Sequence, residues 1–235
     1  MAEDRVVPEG GPDLGAALAG TTFVVVDFEA LTPAGRPAEP TEVAALALVV
    51  RDGRWAADGR FASLIRPPED VPVTRWDLAS GMVEAELRAA PPVAEVLGRL
   101  DGLLAAPPYR LVAQHAPTEA GLIARQRAHC PVLAATPLLD TVRMARRVLP
   151  ELRSHSLDVL LRHYRIPRPP DRHRAAPDVE VTAEVFRRLL AEGAAAGCWR
   201  SLGDLDAAVG MRPKAAQEAA QEAAQKAAQE AAQEA

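Results

Sequence analysis

Length, composition and charge restrict this protein to a small set of classes. Its 235 residues suffice for one α/β domain with extensions, but not for two large independent domains. With 49% hydrophobic and 25% charged residues, wholesale intrinsic disorder is excluded. The formal net charge of -5 argues against a domain that grips nucleic acid by bulk electrostatics alone.

The predicted elements begin with strands and continue with strands and helices in alternation. A flexible leader over 1–20, rich in Gly, Pro and Ala, precedes strand candidates at 22–28, 42–50 and 60–66. Helical periodicity then covers 92–104, 117–129, 141–149, 157–163 and 177–192, with short strands near 110–114 and 137–139. This order predicts a mixed α/β sheet flanked by helices, in a domain spanning 21–210.

The last segment, 211–235, is predicted to be a separate helical tail of low complexity. From Lys214 onward its AAQE repeat consists of strong helix formers, without large apolar side chains that could form a seam. A solvated single helix is the main interpretation, and a weak alanine-based association helix is the alternative.

Targeting signals and cysteine clusters are missing from the sequence. No run approaches the roughly 20 apolar residues of a membrane span, and the first residues lack the pattern of a signal peptide. Cys130 and Cys198 are too few for a disulfide framework or a cysteine-rich zinc site. We therefore expect a soluble cytoplasmic protein without membrane contact.

Two acids follow the first apolar strand. Side chains alternate along a strand, so Asp27 and Glu29 point to the same face, just beyond the run 23–26. Two neighbouring carboxylates repel each other unless a cation lies between them, and Mg²⁺ with its oxygen ligands is a common solution. The alternative is an exposed strand end with solvated acids.

The second candidate site is an acid at the start of a helix, after the strand LVAQ. Pro117 suits the first position of a helix, which places Glu119 in its first turn above Leu122 and Ile123. Glu119 is therefore either a functional carboxylate or an acid that stabilises the helix dipole.

The third candidate site is the segment from His173 to Asp178. Pro177 marks a helix start, which puts Asp178 in the first turn and leaves His173 in the preceding loop. A fixed carboxylate is a good metal ligand, and a mobile imidazole is a good base toward water. A surface histidine next to a first-turn acid is the simpler alternative.

These three segments resemble the motifs of the DnaQ-like (DEDDh) exonucleases. VVVDFEA is similar to the first motif of that family, LVAQHAPTEAGLI to the second, and HRAAPDVEVTAEVF to the third, His-x4-Asp motif. The resemblance covers roughly residues 21–190, in the right order and spacing. It implies a ribonuclease H-like fold, with a mixed five-stranded sheet flanked by helices, that removes nucleotides from the 3′ ends of single-stranded DNA or RNA.

The resemblance also implies a division of roles among these residues. Asp27, Glu29 and Asp178 would hold one metal ion, Asp27 and Glu119 a second, and His173 would be the general base; the ions would be Mg²⁺ or Mn²⁺. Asp140 matches a frequent family position but is predicted to cap the helix that begins at Thr141. The implied reaction is phosphodiester hydrolysis that releases nucleoside 5′-monophosphates.

Departures from the family pattern leave a rival interpretation open. Glu119 stands where the family usually has Asp, and Gln114, His115 and Thr118 replace common neighbours of that acid. A catalytically weak or inactive module of the same fold, which binds nucleic acid or a partner protein, is the alternative. His115 is either part of the site or a structural histidine.

Positive charge is concentrated in one stretch of this acidic chain. Between 143 and 174 nine arginines face three acids, and Arg172 and Arg174 flank the predicted base. We expect these two to bind nucleic-acid phosphates, since single-strand channels carry positive charge along the backbone path. The more distant Arg143, Arg146 and Arg147 are expected to be solvated.

Overall fold

A six-stranded mixed sheet forms the centre of the computed structural model, which describes residues 18, 20–74, 78, 81–104 and 108–213. Its spatial order is β3-β2-β1-β4-β5-β6. The strands are β1 (Thr22–Leu31), β2 (Glu39–Arg51), β3 (Arg54–Leu64), β4 (Tyr109–Ala113), β5 (Leu138–Asp140) and β6 (Gly210–Met211). The predicted mixed sheet flanked by helices is confirmed, and the sixth strand is a two-residue addition to the predicted five.

The opening meander comes from the β-branched and apolar runs of the first fifty residues. β1 pairs with β2 and β2 with β3, both antiparallel, around the turn at Asp52 and Gly53. These turn residues have φ values of 53° and 72°, as a tight hairpin requires. On its other edge β1 runs parallel to β4, and β4 runs parallel to β5.

Eight helices of the described residues surround the sheet. They are α1 (Glu84–Ala89), α2 (Val93–Gly102), α3 (Pro117–Arg125), α4 (Pro131–Ala135), α5 (Thr141–Val148), α6 (Leu157–Tyr164), α7 (Ala175–Ala195) and α8 (Leu202–Val209). α3 begins at Pro117, as predicted. Asp140 caps α5, since its Oδ1 accepts a 2.9 Å hydrogen bond from the Val142 amide. α7 begins two residues before Pro177, which the first helical turn tolerates because its amides have no helical partner.

Alternation along β1 divides the core into two clusters. Phe23 and Val25 pack with α5, α6, α7 and α8 on one face of the sheet. Val24 and Val26 pack with α2, α3 and α4 on the other. β1 is therefore buried on both faces, which holds the acids at its end in a fixed position.

α7 is anchored far from its first turn. The indole of Trp199 is 1% exposed, and its Nε1 donates a 3.0 Å hydrogen bond to the Leu190 carbonyl oxygen. A Cβ atom at Gly193 would lie 2.0 Å from Cζ2 of this ring. Glycine is thus the residue that lets the indole lie directly against the helix.

The two predicted extensions lie mostly outside the described residues. Leu18, from the predicted leader, is buried in the cluster of Phe23, and Met211, from the predicted tail, pairs with Leu138 in β5. The AAQE segment 214–235 lies beyond the described range. Among the described helices, none combines the length and apolarity that crossing a bilayer demands.

Candidate active site

The sheet opens between β1 and β4 where the candidate acids begin. β4 pairs with β1 only from Thr22 to Val25, whereas β1 continues to Leu31 along β2. Asp27 and Glu29 therefore lie beyond the last pair with β4, at the carboxyl end of a parallel strand. Such ends are where α/β sheets gather their ligand sites.

The start of α7 brings the third motif to the same place. Glu29, His173 and Asp178 each offer a ligand atom, and these atoms lie within 4.8 Å of one another. Asp178 is 4% exposed, whereas His173 is exposed at a backbone φ of 70°. This left-handed conformation is uncommon outside glycine, and it accompanies the turn of the chain into α7.

Glu119 belongs to the first turn of α3. It is 4% exposed and does not line the cleft in which Asp27 and Glu29 are found. After burial, the charge of Glu119 is the largest influence that raises the pKa of Asp27. The charge of Glu119 therefore acts on Asp27, and the shared metal role of the two acids stays a prediction.

Burial and mutual repulsion shift the proton equilibria of these acids. The pKa of Asp27 is raised well above its usual value, first by burial and then by Glu119, Glu29 and Asp178. Burial, with Asp178 and Glu42, raises the pKa of Glu29 to about 7. Burial, with Asp140 and Glu29, raises the pKa of Glu119 to about 8. Full ionisation of the cluster at neutral pH therefore requires added positive charge.

The donor atoms of this cluster fit a hard divalent cation. Oε2 of Glu119 and Oδ1 of Asp178 are buried, and neither has a hydrogen-bond partner within the described ranges. A buried carboxylate oxygen without a partner is costly, so both atoms favour a positively charged ligand. Carboxylate oxygens are the ligands that suit Mg²⁺ and Mn²⁺.

Arg172 and Arg174 lie at the site, but carboxylates already engage both side chains. Arg172 pairs with Asp178 through Nη1 and with Asp158 through Nε at 3.2 Å, and its side chain is 11% exposed. Arg174 binds both carboxylate oxygens of Glu42, at 2.8 and 3.2 Å. Their predicted role in nucleic-acid binding stays a prediction.

The two residues that directly follow β4, Gln114 and His115, also lie at the site. Gln114 accepts a 2.5 Å hydrogen bond from the Thr141 hydroxyl and donates a 3.0 Å bond to the His155 carbonyl oxygen. His115 is exposed at a φ of 65°, and its Nδ1 lies 3.1 Å from the Thr118 hydroxyl. His115 lines the cleft, so both interpretations of this histidine remain open.

The acids face a cleft of about 740 Å³ whose far wall the sequence did not single out. Asp27, Glu29 and Asp178, together called the floor, line it along with His173. The far wall consists of Val142 and Arg146 of α5 and residues 153–157. The available sequence signal was the four-residue spacing of Val142 and Arg146, which puts both side chains on one helix face.

The mixed sheet and its flanking helices place this chain in the ribonuclease H-like fold class. A family model described as RNase_T, Exonuclease, matches residues 24–186. The chain belongs to this exonuclease family, and the resemblance to DnaQ-like, DEDDh exonucleases is confirmed. The zinc-bound form of the E. coli ExoI–ssDNA complex has the same fold, with a TM-score of 0.57 at 17% identity, over 72% of this chain and 40% of that chain.

Two bacterial relatives show how the chain compares in length. A DNA polymerase III subunit epsilon-like protein of Rhodobacter capsulatus is 35% identical over 172 residues, which cover 72% of this chain but 24% of that relative. The DNA polymerase III subunit epsilon of Aquifex aeolicus is 28% identical over 180 residues, 73% of this chain and 81% of the relative. The chain thus spans about a quarter of the first relative and most of the second.

Among solved structures, the nuclease domain of 3'hExo, a DEDDh family member bound to rAMP, has the same fold. It superposes with a TM-score of 0.61 at 15% identity, over 74% of this chain and 93% of that domain. The superposition establishes the common fold across nearly the whole of the compared domain.

Proposed function

We propose that this chain is a metal-dependent 3′-to-5′ exonuclease. Its substrates are single-stranded or frayed DNA or RNA ends, and its products are nucleoside 5′-monophosphates. The observation that carries the proposal is the convergence of Glu29, Asp178 and His173 within 4.8 Å, at the edge of a cleft that Asp27 also lines. Family membership supports a nuclease, and the DEDDh neighbour supports cleavage at 3′ ends.

The metal requirement follows from the acids. Asp27, Glu29 and Asp178 would hold one Mg²⁺ or Mn²⁺ ion, and Asp27 with Glu119 would hold a second. Bound ions of this kind lower the pKa of water and stabilise charge that develops on phosphoryl oxygens. The partnerless oxygens of Glu119 and Asp178 support this assignment.

His173 supplies the base. Its side chain is exposed at the rim of the cleft, within 4.8 Å of ligand atoms on Glu29 and Asp178. From there the imidazole takes the proton of the water that attacks the terminal phosphodiester. The bond to the upstream 3′ oxygen breaks, and this oxygen leaves with a proton from solvent.

A catalytically weak or inactive binding module is the second candidate. The observation that favours it is Glu119, one methylene longer than the acid usual in the family. Ionic pairing of Asp178 with Arg172 points the same way, because it occupies a carboxylate that the reaction needs.

A time course on 5′-labelled single-stranded DNA and RNA oligonucleotides tests the proposal, with Mg²⁺, Mn²⁺ or chelator. The wild type should give a ladder that shortens from the 3′ end and disappears with chelator or with Asp27→Asn. Glu180→Gln, an exposed acid of α7 that pairs with Arg60, is the matched control and should retain activity. Normal turnover by Asp27→Asn would contradict the mechanism, and bound but uncut oligonucleotide would favour the binding module.

A further inference from the structure

We propose that Arg146 and Arg153 bind backbone phosphates of the nucleic-acid strand upstream of the scissile bond. This inference rests on the proposed function, because it assigns the substrate path of the same cleft. The far wall, which is Val142 and Arg146 of α5 together with residues 153–157, is then the surface that receives the strand.

Arg146 and Arg153 differ from Arg172, the other arginine of the cleft, in their lack of carboxylate partners among the described residues. Both side chains are exposed and line the cleft. Within the described part of the chain, neither donates a hydrogen bond nor forms an ion pair. Arg172, by contrast, is held by Asp158 and Asp178. The guanidiniums with free donors are therefore those of the far wall.

The far wall is also held in place. Gln114 ties the His155 carbonyl to the end of β4, and Nε2 of His155 lies 3.0 Å from the Leu149 carbonyl oxygen. Leu157, directly after this segment, is 5% exposed and belongs to the core. Arg153 thus projects from a loop whose following residues are fixed, His155 to the end of β4 and Leu157 to the core.

Charge explains why such a wall is needed. A single strand brings one negative charge per nucleotide toward a floor that already contains Asp27, Glu29 and Asp178. Metal ions held by the floor would offset the charge near the scissile phosphate, but they would not reach phosphates farther along the strand. Positive groups along the path lower this repulsion, as in other single-strand grooves.

Helix geometry separates Arg146 from its neighbour. Arg146 shares a face of α5 with Val142, and both line the cleft. Arg147 is equally exposed but lines a different depression, next to Cys198 and Arg200. Arg147→Ala is therefore a control of the same residue type, on the same helix, outside the proposed path.

Two substrates separate the strand path from the chemistry. One is a single-stranded oligonucleotide, and the other is the p-nitrophenyl ester of thymidine 5′-monophosphate, which has a scissile phosphodiester but no upstream phosphate. Arg146→Ala/Arg153→Ala should raise the oligonucleotide KM about tenfold near physiological salt. Its turnover of the ester should equal that of the wild type, and Arg147→Ala should leave both substrates unaffected.

Salt dependence gives a second readout that does not need hydrolysis. Binding of a fluorescent oligonucleotide is followed by anisotropy between about 50 and 200 mM salt. Loss of two phosphate contacts should reduce the slope of log affinity against log salt by about 1.4, since each contact to a single strand contributes about 0.7. Arg147→Ala should keep the wild-type slope.

The outcomes distinguish this inference from the proposed function. An unchanged KM and an unchanged slope in the double variant would overturn the inference even if the wild type is an active exonuclease. Equal losses on the oligonucleotide and the ester would also overturn it, because the arginines would then act on the reacting phosphate. If the wild type cuts neither substrate, the exonuclease proposal fails, and a reduced slope in the double variant would still support the path.

Discussion

The two sides of the cleft are built on opposite principles. On the floor, Asp27 and Glu29 are partly buried and Asp178 is buried, and burial raises the pKa of all three; neighbouring carboxylates raise the pKa of Asp27 and Glu29 further. On the far wall, Arg146 and Arg153 are exposed and lack carboxylate partners among the described residues. The floor carries carboxylates that favour bound cations, whereas the far wall carries guanidinium groups that favour an anionic strand. Changes on the floor should therefore alter kcat, and changes on the wall should alter KM.

His173→Ala should have the largest effect that leaves the metal acids intact. Loss of the general base should lower kcat about a hundredfold or more, with KM nearly unchanged. Steady-state kinetics on the oligonucleotide measure both quantities. His163→Ala is the control, because His163 is exposed and lies against Tyr164 rather than in the cleft. A change confined to KM would place His173 among strand-binding groups and break the distinction between floor and wall.

The same experiment with His115→Ala resolves the two interpretations of this second histidine. A drop in activity with an unchanged free energy of unfolding would assign it to the site. A loss of stability with normal turnover would assign it to the hydrogen bond with Thr118.

The raised pKa values of Glu29 and Glu119 should make the free energy of unfolding depend on pH when chelator is present. Glu29 and Glu119 have pKa values of about 7 and 8 in the folded protein, against a usual value of 4.5. Between these limits the folded state keeps protons that the unfolded chain has released. The free energy of unfolding should therefore fall as pH rises from about 4.5 to 8.

Denaturant titrations at several pH values, with chelator or with saturating Mn²⁺, measure this slope. Mn²⁺ should raise stability most at high pH, where the acids are ionised and bind it best. Glu119→Gln should make the slope in chelator shallower, because one titrating group is removed. Equal stability at pH 5 and pH 8 in chelator would show that folding does not raise the pKa values of Glu29 and Glu119.

Glu119→Asp should have the smallest effect. The carboxylate would retract by about one carbon–carbon bond, roughly 1.5 Å, toward the position usual in the family. We expect a few-fold shift of activity in favour of Mg²⁺ over Mn²⁺, measured as the ratio of kcat values. Glu119→Gln, which removes the charge, should lose activity with both ions. An unchanged metal ratio in Glu119→Asp would mean that the longer side chain already places its oxygens equivalently.

The acids of the candidate site could be predicted because local rules place them. Asp27 and Glu29 follow from strand alternation, and Glu119 and Asp178 follow from prolines at helix starts. The five-stranded ribonuclease H-like sheet was implied by the motif resemblance, whereas the pattern itself predicted only a mixed α/β sheet. The short β6 was missed, since two residues carry no periodicity.

The pairing of the arginines could not be predicted, because it depends on contacts between distant segments. Arg174 meets Glu42 across 132 residues of chain, and no local spacing encodes that meeting. Arg146 and Arg147 look equivalent in the sequence, yet the rotation of α5 sends one into the cleft and the other away from it. The sequence therefore identified the candidate metal-binding carboxylates more readily than the candidate phosphate-binding arginines.

A substitution where α7 is anchored should disturb the site, although this position lies far from the cleft. Asp178 and Gly193 belong to one continuous helix, fifteen residues or about 22 Å apart. Any side chain at Gly193 must displace the Trp199 indole or the helix, because its Cβ would lie 2.0 Å from that ring. A displaced helix would carry Asp178 with it. Inherited variation in this protein should accordingly be as restricted at this remote glycine as at the carboxylates themselves.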